Sequence, residues 1–232
     1  LMAAGVEARP DLATWSRYLV SASYDDNAAT YFAGISQLLP GECATWTPGK
    51  GLSRRRYYDI AEHAIERQVN ADEAAAETRD LLLDVARLHM RADVPVAIAL
   101  SGGLDSSALL ACLDAAGELN EDVKCFSVDF GAALSESHWI EAAADHHHVQ
   151  SHISGFDQND FRASMTPMMW HLEGPIGGLM NCALDHVAGP ANAAGYKVIL
   201  DGTGLDEAFG GYRNHHNLYL GGLLQSSTPS AE

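Results

Sequence analysis

The run Ser101-Gly102-Gly103-Leu104-Asp105-Ser106-Ser107 gathers hydroxyls, glycines and one carboxylate directly after an apolar segment, Val94-Pro95-Val96-Ala97-Ile98-Ala99-Leu100. Two glycines let a backbone turn sharply and approach an anion with no side chain intervening. A helix that opens after such a turn aims its free N–H groups at the same point, and the hydroxyls of Ser101, Ser106 and Ser107 offer further donors. Asp105 repels a bare polyphosphate but accepts the Mg²⁺ that travels with one. The chemistry within reach is therefore the holding of magnesium pyrophosphate. The run is no Gly-x-x-x-x-Gly-Lys-Ser/Thr loop, so charge must be neutralised by metal or from elsewhere, and it does not fit Gly-x-Gly-x-x-Gly. The plain alternative is a strand-to-helix turn with no ligand.

Elements that position this turn can be read on either side. The apolar segment suits a strand buried on both faces, with its one proline near the start. Asp105 or Ser106 is the expected cap of a helix running through Ala108, Leu109, Leu110, Cys112 and Leu113 to Gly117. A second strand, Tyr196-Lys197-Val198-Ile199-Leu200, leads into Asp201-Gly202-Thr203-Gly204-Leu205-Asp206-Glu207-Ala208-Phe209-Gly210-Gly211-Tyr212, again glycines and carboxylates where a strand ends. Taken alone, the acidic pair there is also what a helix N-terminus favours. Between them, Val123 to Phe130 reads as a further parallel strand, followed by a helix beginning near Ser135-Glu136 and passing Ile140, Ala143 and Ala144. The spacing around Asn70-Ala71-Asp72-Glu73 starts another helix, with Leu81, Leu82, Val85 and Leu88 on one face up to Arg91, expected to pack against the first strand of the sheet. His146, His147, His148 and His152 read as a polar loop entering a strand, because adjacent extended residues face opposite ways and cannot all converge on a metal.

The first motif resembles the SGGxDSS signature of the PP-loop ATP pyrophosphatases, and the second resembles the GxGxDExFGGY segment of the asparagine synthetase branch of that group. The resemblance implies an α/β fold, a parallel sheet flanked by helices of the adenine nucleotide alpha hydrolase-like kind. It implies ATP and Mg²⁺ as cofactors, with Asp105 and Asp206 as metal ligands on either side of the nucleotide. Ser101, Gly102, Gly103, Ser106 and Ser107 match the pyrophosphate loop, Ser127, Val128 and Asp129 the adenosine pocket, and Gly202 and Gly204 the second nucleotide segment. The implied reaction is amide formation through an acyl-adenylate, with Asp105, Asp206 and Thr203 as the catalytic positions. Its partners are a small carboxylate, aspartate in most of the family, and an ammonia source such as glutamine. Thr203 stands where asparagine synthetases carry glutamate, and threonine is a poor base at neutral pH. That departure makes a ring-forming amide synthetase the nearest alternative, and a nucleotide-binding remnant without turnover the next. Met168 to Gly178 corresponds to a family segment reading H-L-D/E-E-P, with Glu173 retained and glycine at 174 in place of an acid.

The first third has a different texture. Tyr31 to Glu42 leads into the strand-like Cys43-Ala44-Thr45-Trp46, a Thr47-Pro48-Gly49-Lys50-Gly51 turn, and the basic run Arg54-Arg55-Arg56 before Tyr57-Tyr58-Asp59. These segments resemble the closing part of a class II glutaminase domain, so residues 1–58 are assigned to that β-rich remnant. Residues 59–93 are then a helical connection, and residues 94–232 the synthetase domain. The family continues beyond Tyr212 for roughly another domain-sized stretch that includes a lysine on pyrophosphate, so the chain reads as part of a larger enzyme or as a short form.

With 232 residues, 47% of them hydrophobic and 19% charged, one good core is expected. A formal net charge of −17 disfavours nucleic acid and anionic membranes as partners and leaves a homodimer open. No run has the length of a membrane span and no signal-peptide pattern opens the chain, so a cytoplasmic location is expected. Cys43, Cys112, Cys125 and Cys182 lack CxxC spacing and are expected as reduced thiols, Cys112 and Cys125 within the core.

Overall fold

The computed structural model describes residues 5–65, 67, 69–131 and 133–226, so the polar tail Ser227-Thr228-Pro229-Ser230 lies outside the described residues. Its contacts divide into two compact units, Leu1–Val69 with Met169–Gly177, and Asn70–Met168 with Gly178–Glu232. The helix that follows Asn70 is thus grouped with the sheet.

In the first unit, helix α1 (Leu12–Ser21) is capped by the Asp11 carboxylate, which accepts the Thr14 N–H at 2.8 Å. Strands β1 (Glu42–Thr47) and β2 (Gly51–Arg56) form a hairpin about the expected turn, antiparallel from Glu42↔Arg56 to Thr47↔Gly51. Every residue of β2 is exposed, the three arginines included. Gly41 just before the hairpin has φ +74°, and a Cβ there would lie 2.1 Å from the Tyr58 carbonyl oxygen. Glycine is demanded at that turn on both counts. A one-turn helix, α2 (Ile60–His63), follows, with Asp59 at its N-cap. Gly174 belongs to this unit, and a Cβ on it would stand 2.8 Å from the Tyr31 ring. Local packing therefore accounts for glycine where an acid was expected.

The second unit is built on a four-stranded parallel sheet. Helix α3 (Ala71–His89) starts at Asn70, whose side-chain oxygen accepts the Glu73 N–H at 2.8 Å, as the spacing predicts. Its inward residue is Ala86, which is 2% exposed, with Met90 packed on the same cluster, whereas Leu81, Val85 and Leu88 are exposed. The expected face was therefore rotated, since four-residue steps from Ala86 reach Leu82 and Met90 and leave the other leucines to one side. Strands β3 (Val96–Ala99), β4 (Lys124–Asp129) and β5 (Gln150–Gly155), with β6 (Val198–Leu200), lie in the order β5-β4-β3-β6. The connecting helices are α4 (Leu104–Ala115), α5 (Ser137–His146), α6 (Gln158–Leu172), whose residues from Met169 onward are grouped with the first unit, and α7 (Leu179–Ala193).

Two clusters cover the sheet, one with Ile98, Leu100, Leu110, Leu113, Cys125 and Ile140, the other with Ala97, Phe126, Val187, Ala191 and Tyr196. Adjacent residues of β3 and β4 divide between them, as a sheet covered on both faces requires. The histidine run ends α5 rather than entering an extended loop. His146 is helical, His147 is the C-cap and bonds Asp114 at 2.8 Å, and His148 takes φ +55°. No described helix is long and apolar enough to cross a membrane.

All four cysteines are free thiols, and Cys125 is fully buried. Burial pushes its pKa from 9.0 up to about 12. The folded chain holds the neutral thiol, so its contribution is complete below pH 9 and is lost as pH climbs from there toward 12. Cys125 is therefore expected to resist iodoacetamide at pH 8 in the folded protein and to react fully in denaturant, as peptide mass spectrometry would record.

Candidate functional site

Strand order explains how two distant motifs come together. The chain steps outward from β3 to β4 and β5, then returns to place β6 on the other side of β3. Such a reversal opens a crevice beyond the carboxyl ends of the two strands flanking it. Val96, Ala97 and Ile98 pair with Val198, Ile199 and Leu200 in parallel register, so the loops that leave β3 and β6 emerge side by side. Gly202 then touches the first motif: a Cβ on it would stand 3.0 Å from the carbonyl carbon and Cβ of Asp105 and from the Ser106 nitrogen. Only a residue without a side chain allows this approach without displacing backbone.

The first loop differs in detail from its expected form. Gly103, not Asp105 or Ser106, is the N-cap of α4, and no side chain caps it. Asp105 occupies the first turn, so the helix begins one residue after the second glycine. Leu104, Asp105 and Ser106 therefore present N–H groups that the helix itself cannot satisfy. The hydroxyls are engaged within the turn. Ser106 Oγ, in a residue 6% exposed, accepts the Ser101 N–H at 3.0 Å and lies 2.9 Å from Ser101 Oγ. Ser101 Oγ accepts the Gly103 N–H at 3.2 Å, and Ser107 Oγ donates to the Gly103 carbonyl at 2.9 Å. These bonds hold the backbone in a curve and leave the helix amides as its outward donors.

In the second loop, Asp201 Oδ1 accepts the Thr203 N–H at 3.0 Å, and Gly204 turns through φ +102° into the short helix α8 (Leu205–Phe209). Asp206 and Glu207 lie in its first turn. Tyr212 donates its hydroxyl to Glu207 at 2.8 Å. That hydrogen bond raises the phenol's pKa above its usual value, helped by desolvation and by the charges of Glu207, Asp206 and Asp105. The same bond holds the Glu207 carboxyl below the usual carboxylate range. Both expected metal ligands thus bear on one phenol. Helix α9 (Arg213–Ser226) follows.

On β4, Ser127 is 2% exposed and its hydroxyl has no partner among the described residues. Ser127 follows Phe126, whose carbonyl accepts the Leu100 N–H at 3.1 Å, so it stands beside the start of the loop that runs from Ser101 to Ser107. A buried orphan hydroxyl there costs stability unless a ligand completes it. Beyond Val128, Asp129 opens onto a recess of ≈ 740 Å³ that is also lined by Phe130, Phe156, Asp157, Phe161 and Leu179. Sequence reasoning missed Phe156 and Phe161, which carry no motif and are signalled only by their place after β5.

Glu136 was also missed. Its Oε2 accepts the Gly102 N–H at 2.9 Å across 34 positions of sequence. A Cβ on Gly102 would lie 2.8 Å from Glu136 Cβ and 3.1 Å from Trp139 Cβ, so this glycine admits the first turn of α5. Among the described residues no three His, Cys, Asp or Glu side chains are grouped to hold a metal ion.

The asparagine synthase family model matches residues 77–231. An amidase of Gibberella zeae (chry2) is 28% identical over 211 residues, which are 84% of this chain and 31% of that protein. Asparagine synthetase [glutamine-hydrolyzing] 1 of Bacillus subtilis is 29% identical over 185 residues, 79% of this chain and 28% of that one. The chain thus spans about a third of the length of these curated relatives. Glutamine-dependent NAD+ synthetase from Acinetobacter baumannii, solved with ADP, shares 19% identity at TM-score 0.42 over 69% of this chain and 32% of its own.

Proposed function

The chain belongs to the asparagine synthase family, and from that membership we propose that it supplies the ATP site of an enzyme forming amides through an acyl-adenylate. The observation that carries the proposal is the seating of Gly202 against Asp105 and Ser106, which makes one site of two loops. A carboxylate substrate, aspartate by preference, attacks the α-phosphorus of ATP and expels pyrophosphate; ammonia derived from glutamine then displaces AMP. The first-turn amides of α4 and the curved backbone of Ser101, Gly102 and Gly103 receive the pyrophosphate. Ser106 and Ser107 keep that curve in shape. Ser127 gives its orphan hydroxyl to the nucleotide, while Val128 and Asp129 border the adenosine.

Asp105 and Asp206 suit Mg²⁺, which takes one or two carboxylates together with substrate phosphates. When bound, the ion neutralises charge on the leaving pyrophosphate. Gly202 and Gly204 let the second loop close on the first, and Thr203 faces the acceptor. Positioning and charge neutralisation do most of the catalysis, as the protein has little covalent work of its own. The hairpin unit is assigned to the tail of a class II glutaminase domain, and the parent enzyme to the cytoplasm.

A second reading takes its support from Thr203. Its backbone N–H is held by Asp201 and its side chain is no base at neutral pH, so an amine that needs no glutamate, as in ring closure, fits this position too. Carboxylate-dependent exchange of pyrophosphate into ATP separates the two, with Asp105→Asn as the blank. Exchange with L-aspartate alone is the expected result. Exchange only with another carboxylate selects the second reading, and Mg·ATP binding without exchange against a broad panel selects a remnant.

A further inference from the structure

Glu136 stands at the N-cap of α5 yet makes no capping bond. Its carboxylate reaches instead to the phosphate loop and accepts the Gly102 N–H at 2.9 Å. A carboxylate oxygen and a phosphate oxygen ask the same thing of a backbone amide, namely a charge-assisted hydrogen bond. The loop in this structure therefore already holds an anion of its own. Gly102 makes the contact possible, since any Cβ there would collide with Glu136 Cβ at 2.8 Å. The sequence places no lysine between Lys50 and Lys124, so no ammonium within the loop offsets this charge.

We propose that Glu136 is a specificity-determining residue of the phosphate loop, an internal anion that competes for the Gly102 amide and biases the loop toward metal-complexed over bare pyrophosphate. The proposal rests on the nucleotide reading given above and adds a selectivity to it. A bare pyrophosphate must displace Glu136 and then sit among the carboxylates of Glu136 and Asp105. A metal-complexed one arrives with a cation that both carboxylates attract, so the displaced side chain becomes a favourable neighbour. Competition of this sort lowers apparent affinity by the fraction of molecules in which the amide is free.

The test is calorimetric titration of the chain with inorganic pyrophosphate, once with excess Mg²⁺ and once with a chelator, for the native protein, Glu136→Gln and Glu136→Ala. Thermal unfolding of each form is recorded alongside. Both variants are expected to bind bare pyrophosphate about three- to tenfold more tightly, with a smaller gain for the magnesium complex, so that the preference for the complex narrows. Unchanged affinities in both arms overturn the role of Glu136 while leaving the nucleotide reading intact. Weaker binding of the magnesium complex by Glu136→Gln, at an unchanged unfolding midpoint, also overturns it and makes the side chain a metal partner. Weaker binding by Glu136→Ala alone, with a lowered midpoint, assigns it a scaffolding role and overturns the proposal as well. Absence of binding by every form overturns the nucleotide reading itself, and this proposal with it.

Discussion

Asp206→Asn is expected to lower carboxylate-dependent exchange of pyrophosphate into ATP by roughly 10²–10³-fold without lowering the unfolding midpoint. Asparagine keeps the shape of the side chain and removes only its charge. Asp206 lies half-buried in the first turn of α8, where its charge adds to the Glu207 hydrogen bond and to desolvation in raising the pKa of the Tyr212 phenol. Removing that charge leaves the Tyr212–Glu207 hydrogen bond in place, so the folded state keeps its local contacts. On the proposed assignment, Mg²⁺ brought in with nucleotide would lose one of its two protein ligands. Stability and activity should therefore part company. Exchange within a factor of two of native would remove Asp206 from the metal site.

Gly211→Ala is expected to reach the same loss by a different route, about 10²-fold in exchange. A Cβ at 211 would stand 1.8 Å from Asp206 Oδ1 and 2.7 Å from its Cγ. The backbone gives no objection of its own, because Gly211 is not among the positive-φ glycines of the chain. What must yield is the end of a side chain that can rotate. The fold then survives at small cost while the carboxylate swings off its station. Combining Gly211→Ala with Asp206→Asn should cost little more than Asp206→Asn alone, since both act on the same group. Additive losses in that double variant would show that Gly211 serves something other than the aim of Asp206.

Much of this was legible in the residues. The apolar run before Ser101 is a strand, though two residues shorter at its start than the segment Val94 to Leu100, and the spacing at Asn70 does begin a helix. The two motifs stand out as a pair, since taken alone the acidic residues of the second are also what a helix N-terminus favours. Strand order did not show itself, since pairing between β3 and β6 is a long-range choice that local patterning does not encode. The cap of α4 lies two or three residues earlier than expected, because Gly103 takes that place with extended backbone and needs no side chain to do so. The inward face of α3 was misjudged because leucines were weighted over alanine, while close approach of the helix favours the small Ala86. Glu136 was invisible for a plainer reason. Its partner is an amide 34 residues earlier, and nothing in either segment announces the other.

Pairing of β3 with β6 joins segments that leave the ribosome about a hundred residues apart. During synthesis, β3, β4 and β5 can associate while the chain carrying Gly202 and Asp206 is still unmade. The half-sheet that forms first holds the Ser101–Ser107 loop but lacks Gly202, against which Asp105 is set. Closing so long a segment is entropically slow, and its reward comes only when β6 docks. The proposed nucleotide affinity would thus be acquired in the last act of folding. Bound ATP, by mass action, would hold that final strand in place and slow its release, which makes the ligand a structural member of the edge it occupies.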